Sequence, residues 1–299
     1  MITSIIRFIP FLAAVLSFSF GTAKSVDFTP VPSSNLVKHT YYTLSYNEKN
    51  EQANWVYYCL TDSMVIKGGQ ERSSSFKMDK LVPTESAKSS DYTKSGFDRG
   101  HLCPAADMDF NATAMQESFL ISNISPQTPA FNRGIWKELE EQVRAWAKKK
   151  REIYIVTGPI FKDIKGVIGK EEVTVPGYYF KIIYDITDNP RMIAFVLPNE
   201  KSSRPLTDFA VPVDKAEELT GFNFFSQLPD NIENNLESKV QLAGWFSGYT
   251  STEAPLALDN SQQTNPTESD SRFYLILIGV VLAVVLLVVV RSLFKKSKK

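Results

Sequence analysis

The sequence predicts one mixed α+β domain over residues 24–250, and three stretches carry that prediction. Residues 41–66, containing YYTLSY and NWVYYCLT, are rich in aromatic and β-branched residues and bounded by Asn and Gly-Gly, the composition of paired strands. Residues 132–150 place Ile135, Trp136, Leu139, Val143, Trp146 and Ala147 at helical spacing, ahead of a basic end suited to a helix C-terminus. EIYIVTGPIF, GYYFKIIYD and RMIAFVLPN then follow as three buried strands separated by Gly, Pro and Asn signals.

The connecting segments fit around these. Residues 24–40 form a Pro- and Ser-containing lead-in, in which His39 has no partner motif and is expected at the surface. Residues 77–94, with Pro83 and several serines, read as loop. Asn111 is placed to cap a short helix through Ala114 and Ser118, and FLISNISPQ follows as a short strand entering a turn. VPVDKAEELTGFNFFSQLP reads as a closing helix and turn.

Both ends depart from globular composition. Residues 1–23 carry Arg7, an apolar run and small residues ending at Ala23, the layout of a signal peptide. Residues 251–272 read as a flexible stalk. Residues 273–290 are free of charge and about 27 Å long as a helix, which predicts a single transmembrane helix, and the basic tail at 291–299 predicts a cytoplasmic end. The expected arrangement is a single-pass membrane protein with residues 24–250 on the extracytoplasmic side, periplasmic or extracellular.

Charge then bounds the partners. Without Arg7 and the five basic residues of the tail, 27 Lys and Arg face 33 Asp and Glu, a formal charge of −6. Broad phosphate attraction is excluded by that balance, and any contact with nucleic acid requires a local basic cleft. Cys59 and Cys103 are the only cysteines. They are compatible with a disulfide, which would add about 4 kcal/mol on the chain-entropy model, or with two buried thiols.

Chemistry concentrates in SGFDRGHLCPAADM, where Asp98, Arg99 and His101 surround Gly100. Downstream, Asn123 and Asn132 stand nine residues apart in SNISPQTPAFNRGIWKELE, and Glu140 follows Asn132 by eight. Eight helical residues rise about 12 Å, so Asn132 and Glu140 share a face without touching. A hydrated Mg²⁺, which needs only one or two protein ligands, suits that separation. Phosphodiester hydrolysis uses these parts: a base near neutrality in His101, a cation against developing charge, and guanidinium donors for phosphate oxygens in Arg99 and Arg72.

The ordered set FDRGH, SNISPQ, NRGIW and Glu140, with TGPIF at 157–161 and LTGFNFF near the end, resembles the sugar-non-specific DNA/RNA endonucleases across residues 40–240. These are ββα-metal, or His-Me finger, nucleases. The resemblance implies a central antiparallel sheet flanked by helices, to which the sequence adds the C-terminal transmembrane helix. It implies that His101 is the general base, that Asn132 ligates one Mg²⁺ (replaceable by Mn²⁺), and that Glu140 holds metal-bound water. Asn123 would orient the metal site or His101. Arg99 and Arg72 would contact phosphate, and Asp98 would support the motif loop. Implied partners are DNA and RNA, cut to 5′-phosphate and 3′-hydroxyl ends, with a homodimer left open. Two other classes compete: a nucleic-acid-binding or uptake protein of the same fold with weak activity, and a hydrolase of another phosphodiester.

Overall fold

A computed structural model describes residues 27–249 apart from Ser33 and Asp188. The strands, in chain order, are β1 (Leu36–Lys38), β2 (Tyr42–Asn47), β3 (Gln52–Thr61), β4 (Asp98–His101), β5 (Ile124–Gln127), β6 (Glu152–Ile160), β7 (Val167–Ile168), β8 (Val173–Thr174), β9 (Tyr178–Asp185), β10 (Arg191–Pro198) and β11 (Ala210–Val211). The helices are α1 (Asp62–Lys67), α2 (Ala112–Ser118), the single turn α3 (Pro129–Phe131), α4 (Lys137–Lys150), α5 (Val213–Thr220) and α6 (Asp230–Glu237). Seven strands build the main sheet in the order β1-β2-β3-β6-β9-β10-β11, every neighbour antiparallel.

The sheet is covered on both faces, which explains why its central strands read as almost unbroken apolar runs. In the β6–β9 pair, Ile155 lies opposite Ile183, and both pack with Leu139, Val143 and Trp146 of α4. One position along, Val156 lies opposite Ile182 and joins Val213 and Ala216 of α5 and Leu236 of α6 in the other layer. Period-two alternation thus feeds two cores from one strand. Each aliphatic side chain buried this way contributes about 1.5–3 kcal/mol.

Gly158 of β6 shows how closely this sheet is packed. A Cβ there would lie 2.3 Å from the Asn54 carbonyl oxygen and 2.9 Å from the Phe180 ring. Backbone cannot yield cheaply, so Gly158→Ala is expected to cost about 2–3 kcal/mol. Urea unfolding would measure it, and an unchanged midpoint would contradict the stated packing.

The structure corrects four expectations. The strand pattern over 41–66 ends at Thr61, whose Oγ1 accepts from the Met64 backbone and caps α1. The helix expected from Asn132 becomes regular only at Lys137; Asn132–Trp136 is a widened turn in which Gly134 leaves helical geometry (φ −104°, ψ −116°). His39 is not a surface side chain. It is 2% exposed, with Nε2 2.9 Å from Asp79 Oδ2, and Asp79 also accepts from Ser122 Oγ at 2.5 Å. Burial would raise the Asp79 carboxyl, but the His39, Ser122 and Leu81 hydrogen bonds outweigh it and hold it below the usual range. The fourth concerns the fold class: a transmembrane helix is no part of the described architecture. No helix among the described residues is long and apolar enough to cross a membrane. The segments read as signal peptide (1–23), stalk (251–272), membrane span (273–290) and tail (291–299) lie outside the described residues, as do residues 24–26 and 250 at the ends of the expected domain.

Candidate active site

β4 and β5 form a separate antiparallel ribbon, with Gly100 opposite Ser125 and His101 opposite Ile124. Gly100 is required by a close approach, because a Cβ there would stand 2.3 Å from the Gln127 side chain. β5 then runs through Thr128, whose hydroxyl caps α3, into Pro129 at the first helical position, the widened turn and α4. Two strands followed by a helix thus bring the end of β4 and the start of the helix to one place.

That place is an open cleft of about 530 Å³. His101, Asn132, Glu140, Arg99 and Arg72, scattered over 69 positions of chain, all line it. Arg133, Lys137 and Arg144 line it too, so five cationic side chains face a single carboxylate. Positive charge is thus concentrated here in a chain whose formal net charge is zero.

His101 is 7% exposed and packed against the Phe76 and Phe119 rings. Its Nε2 is enclosed with no hydrogen-bond partner, leaving Nδ1 as the ring nitrogen open to the cleft. Burial, then the Arg72 charge, depress its pKa to about 3, so the ring is neutral at pH 7.

Asn132 Nδ2 donates to Asp98 Oδ2 at 3.0 Å, and Arg133 grips both oxygens of Asp98 at 2.8 and 2.7 Å. Burial opposes ionisation of Asp98, but the Arg133 and Asn132 hydrogen bonds prevail and lower its pKa. With its amide nitrogen committed, Asn132 offers Oδ1 to the cleft. Neither that oxygen nor the Glu140 carboxylate makes a hydrogen bond among the described residues, and two unspent oxygen donors on one wall fit a hard divalent cation.

Glu140 lies over a charged layer that the ordered motifs do not include. Burial raises its carboxyl to about 7, opposed by Lys181. Lys181 of β9 is 0% exposed, with Nζ 3.5 Å from the Leu102 carbonyl oxygen and 4.7 Å from the centre of the Trp136 ring. Burial lowers its pKa, against the attraction of Glu140 and Asp107. Asp107, also buried, accepts from Tyr58 Oη at 2.8 Å and pairs with Arg144 at 2.9 Å. Signals for two of these were present. Arg144 follows Glu140 at i+4, and Lys181 is a lone charge inside YYFKIIYD. Asp107 and Arg133 carried no comparable signal.

Two of the expected site residues have side chains already engaged by the protein. Asn123 does not line the cleft; it is fully buried beneath it, where Oδ1 accepts from Cys103 N at 2.9 Å and Nδ2 donates to the Cys103 and Ser118 carbonyls at 2.9 and 2.8 Å. It fixes the chain two residues past His101 and has no donor left for a ligand. Arg99 lines the cleft, but its guanidinium is already engaged by Ser89 and Thr93 at 2.6–3.1 Å. Cys59 and Cys103 are both free thiols, which closes the disulfide alternative; burial raises Cys59 to about 12, and burial also lifts Cys103 well above the usual thiol range.

A family model described as DNA/RNA non-specific endonuclease matches residues 21–231. The chain belongs to that family. It is 36% identical over 225 residues to a nuclease of Nostoc sp., covering 70% of this chain and 80% of that one. It is 33% identical over 198 residues to the mitochondrial endonuclease G of Homo sapiens, covering 61% and 67%. A solved structure of an EndoG/EndoGI complex, titled as a mechanism of EndoG inhibition, superposes with a TM-score of 0.62 at 32% identity, over 65% of this chain and 87% of that one. This nuclease is therefore an endonuclease, a phosphodiester hydrolase. Its family is generally metal-dependent.

Proposed function

We propose that the cleft hydrolyses internal phosphodiester bonds of DNA and RNA without sequence preference, dependent on Mg²⁺, and releases 5′-phosphate and 3′-hydroxyl ends. One observation carries the reading: a neutral histidine, two unspent oxygen donors and five cationic side chains face the same space.

His101 Nδ1 accepts a proton from a water molecule as its oxygen attacks phosphorus. The P–O3′ bond breaks, and the 3′ oxygen is protonated from solvent. Arg72, Arg144 and the outward part of Arg99 hold the non-bridging oxygens, a task suited to planar guanidinium donors. Asn132 and Glu140 would hold the cation, the first directly and the second through water. When bound, Mg²⁺ neutralises charge on the phosphate and the departing oxygen. Asp98 and Arg133 orient Asn132, as partners behind metal ligands commonly do. The aromatic walls around His101 keep its ring neutral and fixed in one plane.

Purified protein is expected to nick and then linearise supercoiled plasmid, and to degrade single-stranded RNA, with Mg²⁺ but not with EDTA. End-labelling of the products should find 5′-phosphates. Cleavage that survives EDTA, or 3′-phosphate products, would overturn the reading.

A further inference from the structure

Across the sheet from the cleft, α5 and α6 bring three acids together. Asp214 and Glu217 of α5 and Glu237 of α6 present carboxylate oxygens that all lie within 4.8 Å of one another. A cluster of surface acids would carry little meaning, but Glu237 is 3% exposed and its Oε1 is enclosed with no hydrogen-bond partner. The charged groups acting on Glu237 are Glu217, Glu233 and Asp214, all acidic. It also occupies the last position of α6, where the helix dipole disfavours a negative charge. Nothing among the described residues compensates this group.

We propose that Asp214, Glu217 and Glu237 form a divalent-cation site of the Ca²⁺ type that fastens α6 to α5. All three donors are oxygens, which selects hard cations over zinc or copper. Ca²⁺ bonds oxygen at about 2.3–2.6 Å, so oxygens within 4.8 Å of one another can share one such ion. Glu217 keeps one oxygen for the Phe224 backbone at 2.7 Å and has the other to give. Asp214 is exposed, so water completes the shell on that side. The site is separate from the cleft, because α5 and α6 pack in the opposite layer from α4.

Scanning calorimetry on the intact protein, stripped with EGTA and titrated with CaCl₂, tests the proposal. Wild type is expected to gain about 5–10 °C in Tm at Ca²⁺ a hundredfold above its Kd. Asp214→Asn and Glu237→Gln should lose that gain. Metal-free Glu237→Gln should melt no lower than metal-free wild type, since a neutral amide replaces an uncompensated acid. Asn132→Ala should keep the gain, which separates this site from the proposed catalytic one. No rise in wild type, a rise undiminished in Asp214→Asn and Glu237→Gln, or a rise abolished by Asn132→Ala would each overturn it.

Discussion

His101→Ala is expected to lower kcat for plasmid nicking by roughly 10²–10⁴-fold, the usual contribution of a positioned general base. Substrate affinity should change little, because the five cations of the cleft remain in place. Single-turnover cleavage at saturating Mg²⁺ separates the two effects, and undiminished cleavage would remove His101 from the mechanism. The same side chain leaves a second signature in stability. Unfolded, an imidazole takes up its proton near pH 6.5. Folded, burial and the Arg72 charge delay that uptake to about pH 3. The unfolded chain therefore binds more protons between these values, so the contribution is full above pH 6.5 and is lost as pH falls towards 3. Two pH units within that window correspond to up to about 3 kcal/mol. Urea unfolding of the metal-free protein at pH 6.5 and 4.5 should show wild type losing more stability than His101→Asn by an amount of that order. Equal losses would show that the ring is protonated freely in the folded state.

Asn132→Ala is expected to raise the half-saturating Mg²⁺ concentration by more than about 100-fold, and Asp98→Ala by roughly 10–100-fold. The first change removes the oxygen itself. The second frees the Asn132 amide nitrogen, which is tied to Asp98 Oδ2 at 3.0 Å, so that the oxygen is no longer aimed. Arg133→Ala should matter least, because Arg133 is 72% exposed and exposed ion pairs contribute about 0–1 kcal/mol. Mn²⁺ binding followed by electron paramagnetic resonance gives a readout independent of turnover. Unchanged affinity in Asn132→Ala would show that the cation is held elsewhere.

The sequence disclosed most where one side chain meets one requirement. Leu139, Val143 and Trp146 mark α4 by their spacing, and Asn111 caps α2 through the Thr113 and Ala114 amides as its position suggested. The ribbon of β4 and β5 joins two of the ordered motifs, and one cleft gathers Arg72, Arg99, His101, Asn132 and Glu140. What stayed hidden depends on pairing across long stretches of chain. His39 meets Asp79 forty residues away, and Lys181 reaches the Leu102 carbonyl across 79. No local pattern reports such a partner, so His39 read as solvent-facing and Lys181 as one more strand residue. The widened turn at Asn132–Trp136 escaped for a different reason: apolar spacing continues smoothly across it while Gly134 lets the backbone leave the helix. Helix α6 was missed because DNIENNLE shows the core only Leu236 and Glu237.

One face of α4 carries Glu140 and Arg144 to the cleft, while Leu139, Val143, Trp146 and Ala147 anchor the other in the main core. The rod that holds the chemistry is thus also a beam of the building. A lesion at its far end, such as truncation of Trp146 where it packs on Phe195 and Trp245, would tilt the near end and emerge at the bench as a defect in cation use. Variants in this family that lose activity without touching the cleft can therefore be sorted by one question: whether their fault lies along this helix.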